Sequence, residues 1–193
     1  MKVFTKFPPK HKPRANILTE SELTQLLEAP FKTKEKEIIK LRDRAVFEML
    51  FSTGLKISEL TNLKCSQINL NSESFDVLNK KHIKRIIPFS HQTRYYLKQY
   101  LEKRTDTHDS LFISHDRAQN SRPHTPASIT PRSIQRNLEH YRKISGLKNK
   151  ITPSVLRHSF AANLIKHGVD IKTVSTVLGH SNISVTKLYD YNN

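Results

Sequence analysis

The chain predicts a mainly α-helical fold that carries one small antiparallel β-hairpin. Apolar residues recur at helical spacing through most of its length. Clear helix starts stand at Thr19, whose Glu22 completes a capping box, and at Thr130 and Thr152, each followed by a proline suited to the first helical position. The period changes to alternation only between Ser74 and Phe89. At 193 residues with 36% apolar and 26% charged side chains, there is enough material for one domain of good size.

Residues 1–15 carry Lys2, Lys6, Lys10, Lys12 and Arg14 with no acid, and Pro8, Pro9 and Pro13 oppose a helix; they read as a basic arm or linker. A contact with nucleic acid and an ordinary loose terminus explain that arm equally well. Behind Thr19, the residues Leu23, Leu26 and Leu27 share one face of a short helix. A longer helix is expected over about Lys36–Ser52, with Ile38 through Phe51 supplying a broad apolar face and Gly54 as its stop. Ile57–Leu63 reads as one more short helix. Ser74–Leu78 and Arg85–Phe89 read as strands joined by a basic tip with Lys80, Lys81, His82 and Lys84. Helices are then expected over about His91–Lys103, Pro131–Lys143, Pro153–His167, Ile171–Leu178 and Ser184–Asp190. Gly168 suits a helix stop and Asp170 the cap of the next helix. The stretch Ser114–Ser128 is polar and reads as a loop.

Lys and Arg outnumber Asp and Glu by 33 to 17, a formal charge of +16, which argues for a polyanionic partner. Cys65 is the only cysteine, so an internal disulfide and a cysteine-based zinc site are excluded. No histidine pair has the spacing of a metalloprotease, and no metal or other cofactor is expected. No apolar run approaches the ~20 residues needed to cross a bilayer, and the N-terminus lacks the apolar stretch of a secretory signal, so a cytoplasmic protein is expected.

Four residues suit phosphodiester chemistry. The hydroxyl of Tyr189 can attack phosphorus and hold a strand as a phosphotyrosine; Tyr191 competes for that role, and packing is the commoner use of a tyrosine on a terminal helix. At ~100° per residue, the two tyrosines point in nearly opposite directions on a helix, so only one faces a given site. Arg157 lies beside the Leu156, Phe160 and Leu164 stripe of its helix and can grip two phosphate oxygens, although an ion pair with a carboxylate such as Asp170 would also explain it. His180, after Gly179, can donate to a phosphate or serve as a cap. Lys80 in the hairpin tip can protonate a leaving 5′-oxygen or simply be a solvated turn lysine. Lys81, Lys84, Arg132 and Arg136 are further DNA-binding candidates, the last two on a helix that also bears Arg142 and Lys143.

From about Asn16 onward, the sequence resembles the catalytic domain of the tyrosine recombinases, the phage integrase and Xer-type family. The resemblance rests on Asn16–Leu23, on Arg42–Ala45 through Thr53–Leu60, on Val77–Pro88, on Leu156–Ala161, and on Leu178–Ser181 with Thr186 and Tyr189. It implies the fold of that domain over residues 16–193, with no N-terminal DNA-binding domain in this chain. It implies DNA strand cleavage and rejoining through a 3′-phosphotyrosyl intermediate on double-stranded DNA, with a tetrameric synapse on DNA and a monomer in solution. By resemblance, Tyr189 is the nucleophile, selected over Tyr191 by its nine-residue distance from His180. Arg157 is then the second phosphate-binding arginine, Lys80 the general acid and His180 a support for the transition state. Lys56 stands where the family has its first arginine, and Ser154 where it has a histidine. Lysine keeps the charge without the two-pronged grip, and serine cannot carry a proton as imidazole does, so a slower enzyme is expected. A non-catalytic DNA-binding homologue of the same fold and a basic helical RNA- or ribosome-binding domain are the alternatives.

Overall fold

Helix α2 (Glu37–Thr53) is the spine of the molecule because it is enclosed on nearly every side: Leu41 through Leu50 form an unbroken buried run. The computed structural model describes residues 16–78, 84–115, 127–179 and 186. Before α2 comes α1 (Glu20–Glu28), started by the expected box: Thr19 Oγ1 accepts from the Glu22 amide at 3.2 Å, and Glu22 Oε2 accepts from the Thr19 amide at 2.9 Å. A 3-10 turn over Ala29–Lys32, with Pro30 in its first turn, joins the two helices; the sequence reading did not anticipate it. Gly54 ends α2 at φ +60°, the left-handed conformation that most side chains resist. Its missing side chain matters as well, because a Cβ there would lie 2.5 Å from Phe160 Cδ1 and 2.6 Å from Leu178 Cδ2.

Helix α3 (Ile57–Thr61) is shorter than expected, and a 3-10 turn follows at Cys65–Gln67. Strands β1 (Ser74–Leu78) and β2 (Lys84–Pro88) pair antiparallel with Phe75 opposite Ile87 and Val77 opposite Arg85. Phe75, Val77 and Ile87 are buried on the inner face, while Leu78 and Ile86 are exposed on the outer one. Helix α4 (His91–Lys103) then lies along α2, and α5 (Pro131–Ile144), α6 (Pro153–Lys166) and α7 (Ile171–Leu178) follow. Thr130 and Thr152 cap α5 and α6 as their Thr-Pro pairs predict, and Asp170 Oδ1 caps α7 by accepting the Lys172 and Thr173 amides at 3.0 Å. The hairpin tip at 79–83, most of the 114–128 loop, and the last expected helix apart from the buried Thr186 lie outside the described residues.

The main core joins Phe47, Met49 and Leu50 of α2 to Leu97 and Tyr100 of α4, Leu138 and Tyr141 of α5, and the inner face of the hairpin. Enclosing a side chain of this kind contributes about 1.5–3 kcal/mol each. A smaller cluster of Phe160, Ala161, Val174 and Leu178 holds α6 to α7. Between the helices sits a buried polar set. Asp43 Oδ1 accepts from Arg42 Nε at 2.9 Å and Asn137 Nδ2 at 3.1 Å, while Oδ2 accepts from the Tyr141 hydroxyl at 2.9 Å. Arg44 donates to Glu48 at 2.8 Å and Glu28 at 2.6 Å, and its guanidinium lies 4.2 Å from the centre of the Tyr96 ring. Among the described residues no buried side-chain polar atom lacks a partner.

Candidate active site

Arg157 enters α6 one turn after the Thr152 cap and is only 7% exposed, more enclosed than its position beside the apolar stripe suggested. Its Nη1 donates to the Gly54 carbonyl and its Nη2 to the Leu178 carbonyl at 2.7 Å. These oxygens end α2 and α7, where unpaired carbonyls concentrate negative partial charge. The guanidinium therefore pins two helix ends together, and these bonds use two of its five N–H groups.

A second guanidinium fastens the same two segments. Arg85 stands on the inner face of β2 and grips Glu59 with both prongs, Nη1 to Oε1 at 2.9 Å and Nη2 to Oε2 at 2.8 Å. Its Nε donates to the Val177 carbonyl at 3.1 Å, one residue before the carbonyl that Arg157 takes. Glu59 Oε2 also accepts the Lys56 amide at 2.8 Å. Burial raises the Glu59 carboxyl, but the Arg85 fork, the Lys56 amide and the two positive charges outweigh it, so it sits below the usual carboxylate range. Gly179, at φ +65°, gives Arg85 its room: a Cβ there would lie 3.2 Å from Nη1.

Lys56 caps the N-terminus of α3 two residues after Gly54, and its side chain is exposed. Ser154 is exposed in the first turn of α6, three residues before Arg157 and so on the same side of the helix. Next to Arg157, His158 is held below the usual imidazole range by burial and then by the neighbouring positive charge. Segments 54–59, 154–158 and 177–179 thus meet at one junction, and the last leads directly into His180. Lys80, Lys81, His180, Tyr189 and Tyr191 lie outside the described residues.

The outlying basic candidates are placed differently. Lys84 pairs with Asp76 across the hairpin at 2.7 Å, with both side chains more than half exposed. Arg132 and Arg136 are exposed on α5, opposite the buried Ile134 and Leu138. Arg142 is tied to Glu139 by two bonds of 2.9 Å and to the Leu147 carbonyl, so it closes the end of α5. A separate cleft of about 810 Å³ between residues 17–21 and α6, lined by Leu18, Ser159, Ala162 and Lys166 among others, contains none of the residues assigned to phosphate chemistry. Among the described residues no cluster of His, Cys, Asp and Glu could hold a metal, and no helix is long and apolar enough to cross a membrane.

Arg85 and Glu59 escaped the sequence reading. Their signal was a charge at an inward position of an alternating strand, between Lys84 and Ile86, which calls for a buried partner.

Residues 16–193 match the phage integrase family, and the chain belongs to that family. It is 36% identical over 182 residues to tyrosine recombinase XerA of Pyrococcus furiosus, covering 94% of this chain and 58% of that protein. The crystal structure of XerA recombinase resembles it with a TM-score of 0.76 at 30% identity, over 92% of this chain and 60% of that one. The structure of XerH site-specific recombinase bound to difH substrate, in a pre-cleavage complex, shares the fold with a TM-score of 0.78 at 22% identity, over 94% of this chain and 52% of that one. The chain spans 56% to 58% of the length of the curated relatives it matches.

Proposed function

We propose that this chain is the catalytic domain of a site-specific DNA recombinase that cleaves and rejoins double-stranded DNA through a 3′-phosphotyrosyl intermediate. The observation that carries this reading is the junction at which two guanidiniums tie the Lys56 segment and α6 to the end of α7, within a chain of the phage integrase family. The difH substrate of the XerH structure supports DNA as the partner.

Tyr189 gives up its hydroxyl proton to solvent as its oxygen attacks the phosphorus, the bond to the 5′-oxygen breaks, and Lys80 delivers the proton that this oxygen needs. Arg157 and Lys56 neutralise the non-bridging oxygens, and His180 donates a hydrogen bond to them. The phosphotyrosine keeps the energy of the broken linkage, so rejoining needs no nucleotide and no metal. Ser154 offers a hydroxyl where the family has an imidazole. Lys81, Lys84, Arg132 and Arg136 contact the DNA backbone. The chain is a monomer in solution, assembles on DNA as a tetramer and works in the cytoplasm, where that DNA is found. Residues 1–15 act as a basic linker to the domain at 16–193.

Covalent trapping tests the reading. Incubation with nicked duplex DNA, followed by denaturing gels, is expected to give a protein–DNA adduct that Tyr189→Phe abolishes and Tyr191→Phe spares. DNA binding without any adduct would instead leave a binding homologue.

A further inference from the structure

We infer that Arg85 is a positioning residue for strand cleavage, one that fixes Lys56 through Glu59 and the end of α7 through the Val177 carbonyl. The inference rests on the reaction proposed above. Its geometry is independent of that reaction. A single planar group makes three bonds, at 2.8, 2.9 and 3.1 Å, to two segments far apart in sequence. One of the carboxylate oxygens it holds is the acceptor for the Lys56 amide. Arg157 joins the neighbouring atoms of the same segments, at the Gly54 and Leu178 carbonyls.

Lys56 needs such a support. A lysine ammonium sits on a flexible stem and lacks the fixed fork of a guanidinium, so the backbone that carries it must limit where the charge can go. Glu59 holds that backbone, and Arg85 holds Glu59. The arrangement also depends on Gly179: a Cβ there would press on Nη1 and the central guanidinium carbon at 3.2 and 3.3 Å. The hairpin strand, the α3 start and the chain leading into His180 therefore meet at one side chain.

The test uses the full chain with Arg85→Gln, Arg85→Lys, Lys56→Ala and the double variant Arg85→Gln/Lys56→Ala. Single-turnover adduct formation on nicked duplex at saturating protein is measured beside the DNA Kd. Arg85→Gln is expected to slow adduct formation by about tenfold to a hundredfold, the scale of an ångström of misplacement, with Kd changed less than about threefold. In the Lys56→Ala background the same change is expected to cost less than about twofold, because the group it positions is gone. Arg85→Lys keeps the charge and so guards against misfolding; it is expected to retain most of the deficit, since one ammonium cannot hold Glu59 and Val177 in a fixed plane. A fully additive double variant, a parallel loss of Kd, or parental rates in Arg85→Lys would each overturn the inference. One arm needs no activity. The Lys56 amide proton should move upfield and exchange faster in Arg85→Gln, and an unmoved resonance would overturn the positioning. Absence of any Tyr189-dependent adduct from the parent chain would remove the proposed reaction, while the Lys56 amide would still decide this link.

Discussion

Arg42 and Arg44 on α2 are enclosed as tightly as Arg157 beside α7, yet carboxylates and backbone carbonyls share the bonds of the two regions in different proportions. On α2 the guanidiniums face carboxylates: Asp43 for Arg42, and Glu48 with Glu28 for Arg44. At the α3–α6–α7 junction, Arg157 and Arg85 spend N–H groups on backbone carbonyls, and Glu59 is the carboxylate that takes the Arg85 fork and the Lys56 amide. Carbonyl dipoles satisfy hydrogen bonds without cancelling a full charge. The first region is an internal brace. The second, proposed above as the phosphate site, is tied by the Gly54, Val177 and Leu178 carbonyls as well as by Glu59.

The comparison breaks most visibly if each region loses its central acid or base. Asp43→Ala leaves the Arg42 charge buried and strands the Asn137 and Tyr141 donors. Breaking such a buried pair is expected to cost about 3–5 kcal/mol of stability, read by urea denaturation, with adduct formation per folded molecule unchanged. Arg157→Lys should do the reverse in emphasis. The loss of one preorganised donor set lowers single-turnover cleavage by about 10²–10³-fold, while the two carbonyls can still be partly served by the ammonium. Equal losses of stability and rate in both variants would erase the distinction between brace and site.

A gain of function sharpens it further. Lys56→Arg restores the fork and Ser154→His restores an imidazole, both at exposed positions where the new side chain meets no packed core. Together they are expected to raise adduct formation by about tenfold or more with little change in stability, in keeping with the scale of a transition-state donor. Unchanged rates would show that the chain compensates for both departures in another way.

Sequence alone carried most of the helices, because their signals are local. Thr152-Pro153 started α6, Gly54 stopped α2, and alternation in Ser74–Leu78 marked the hairpin, each within a few residues of what it governs. The brace and the α3–α6–α7 junction were silent for the opposite reason. Asp43 bonds to Asn137 and Tyr141, 94 and 98 residues away, and Arg85 reaches Val177 across 92. No periodicity encodes such partners. The resemblance named Arg157 and Lys56, but only the fold shows that their segments are held by two adjacent carbonyls of α7.

Acid separates the regions by a smaller margin. His115 lies beside the brace, near Arg42, and burial followed by that charge depresses its imidazole to about 4 from 6.5. The folded chain therefore refuses a proton that the unfolded chain accepts below pH 6.5. Stability from neutral His115 is complete above that pH and falls as pH drops toward about 4. His115→Gln should flatten urea midpoints across this window. Glu59 acts lower: its carboxyl is depressed, so its contribution holds above 4.5 and fades only below it. A midpoint that is already flat in the parent chain would remove His115 from this account.

The mildest effects belong to the exposed cations, where the distinction between bracing and contacting can be read from salt alone. Lys84 has an acid 2.7 Å away on a well-solvated surface, and a pair of that kind contributes at most about 1 kcal/mol. A phosphate can replace Asp76 at little cost, so the pair does not disqualify Lys84 as a contact. Each phosphate contact removed lowers the slope of log K against log salt by about 0.9. Arg136→Gln and Lys84→Gln should each reduce the slope by about that amount without altering single-turnover rate at saturation. Arg142→Gln, whose guanidinium already closes α5 onto Glu139 and Leu147, should leave the slope unchanged. A slope change at Arg142 equal to that at Arg136 would mean that closing the end of α5 does not keep Arg142 from DNA.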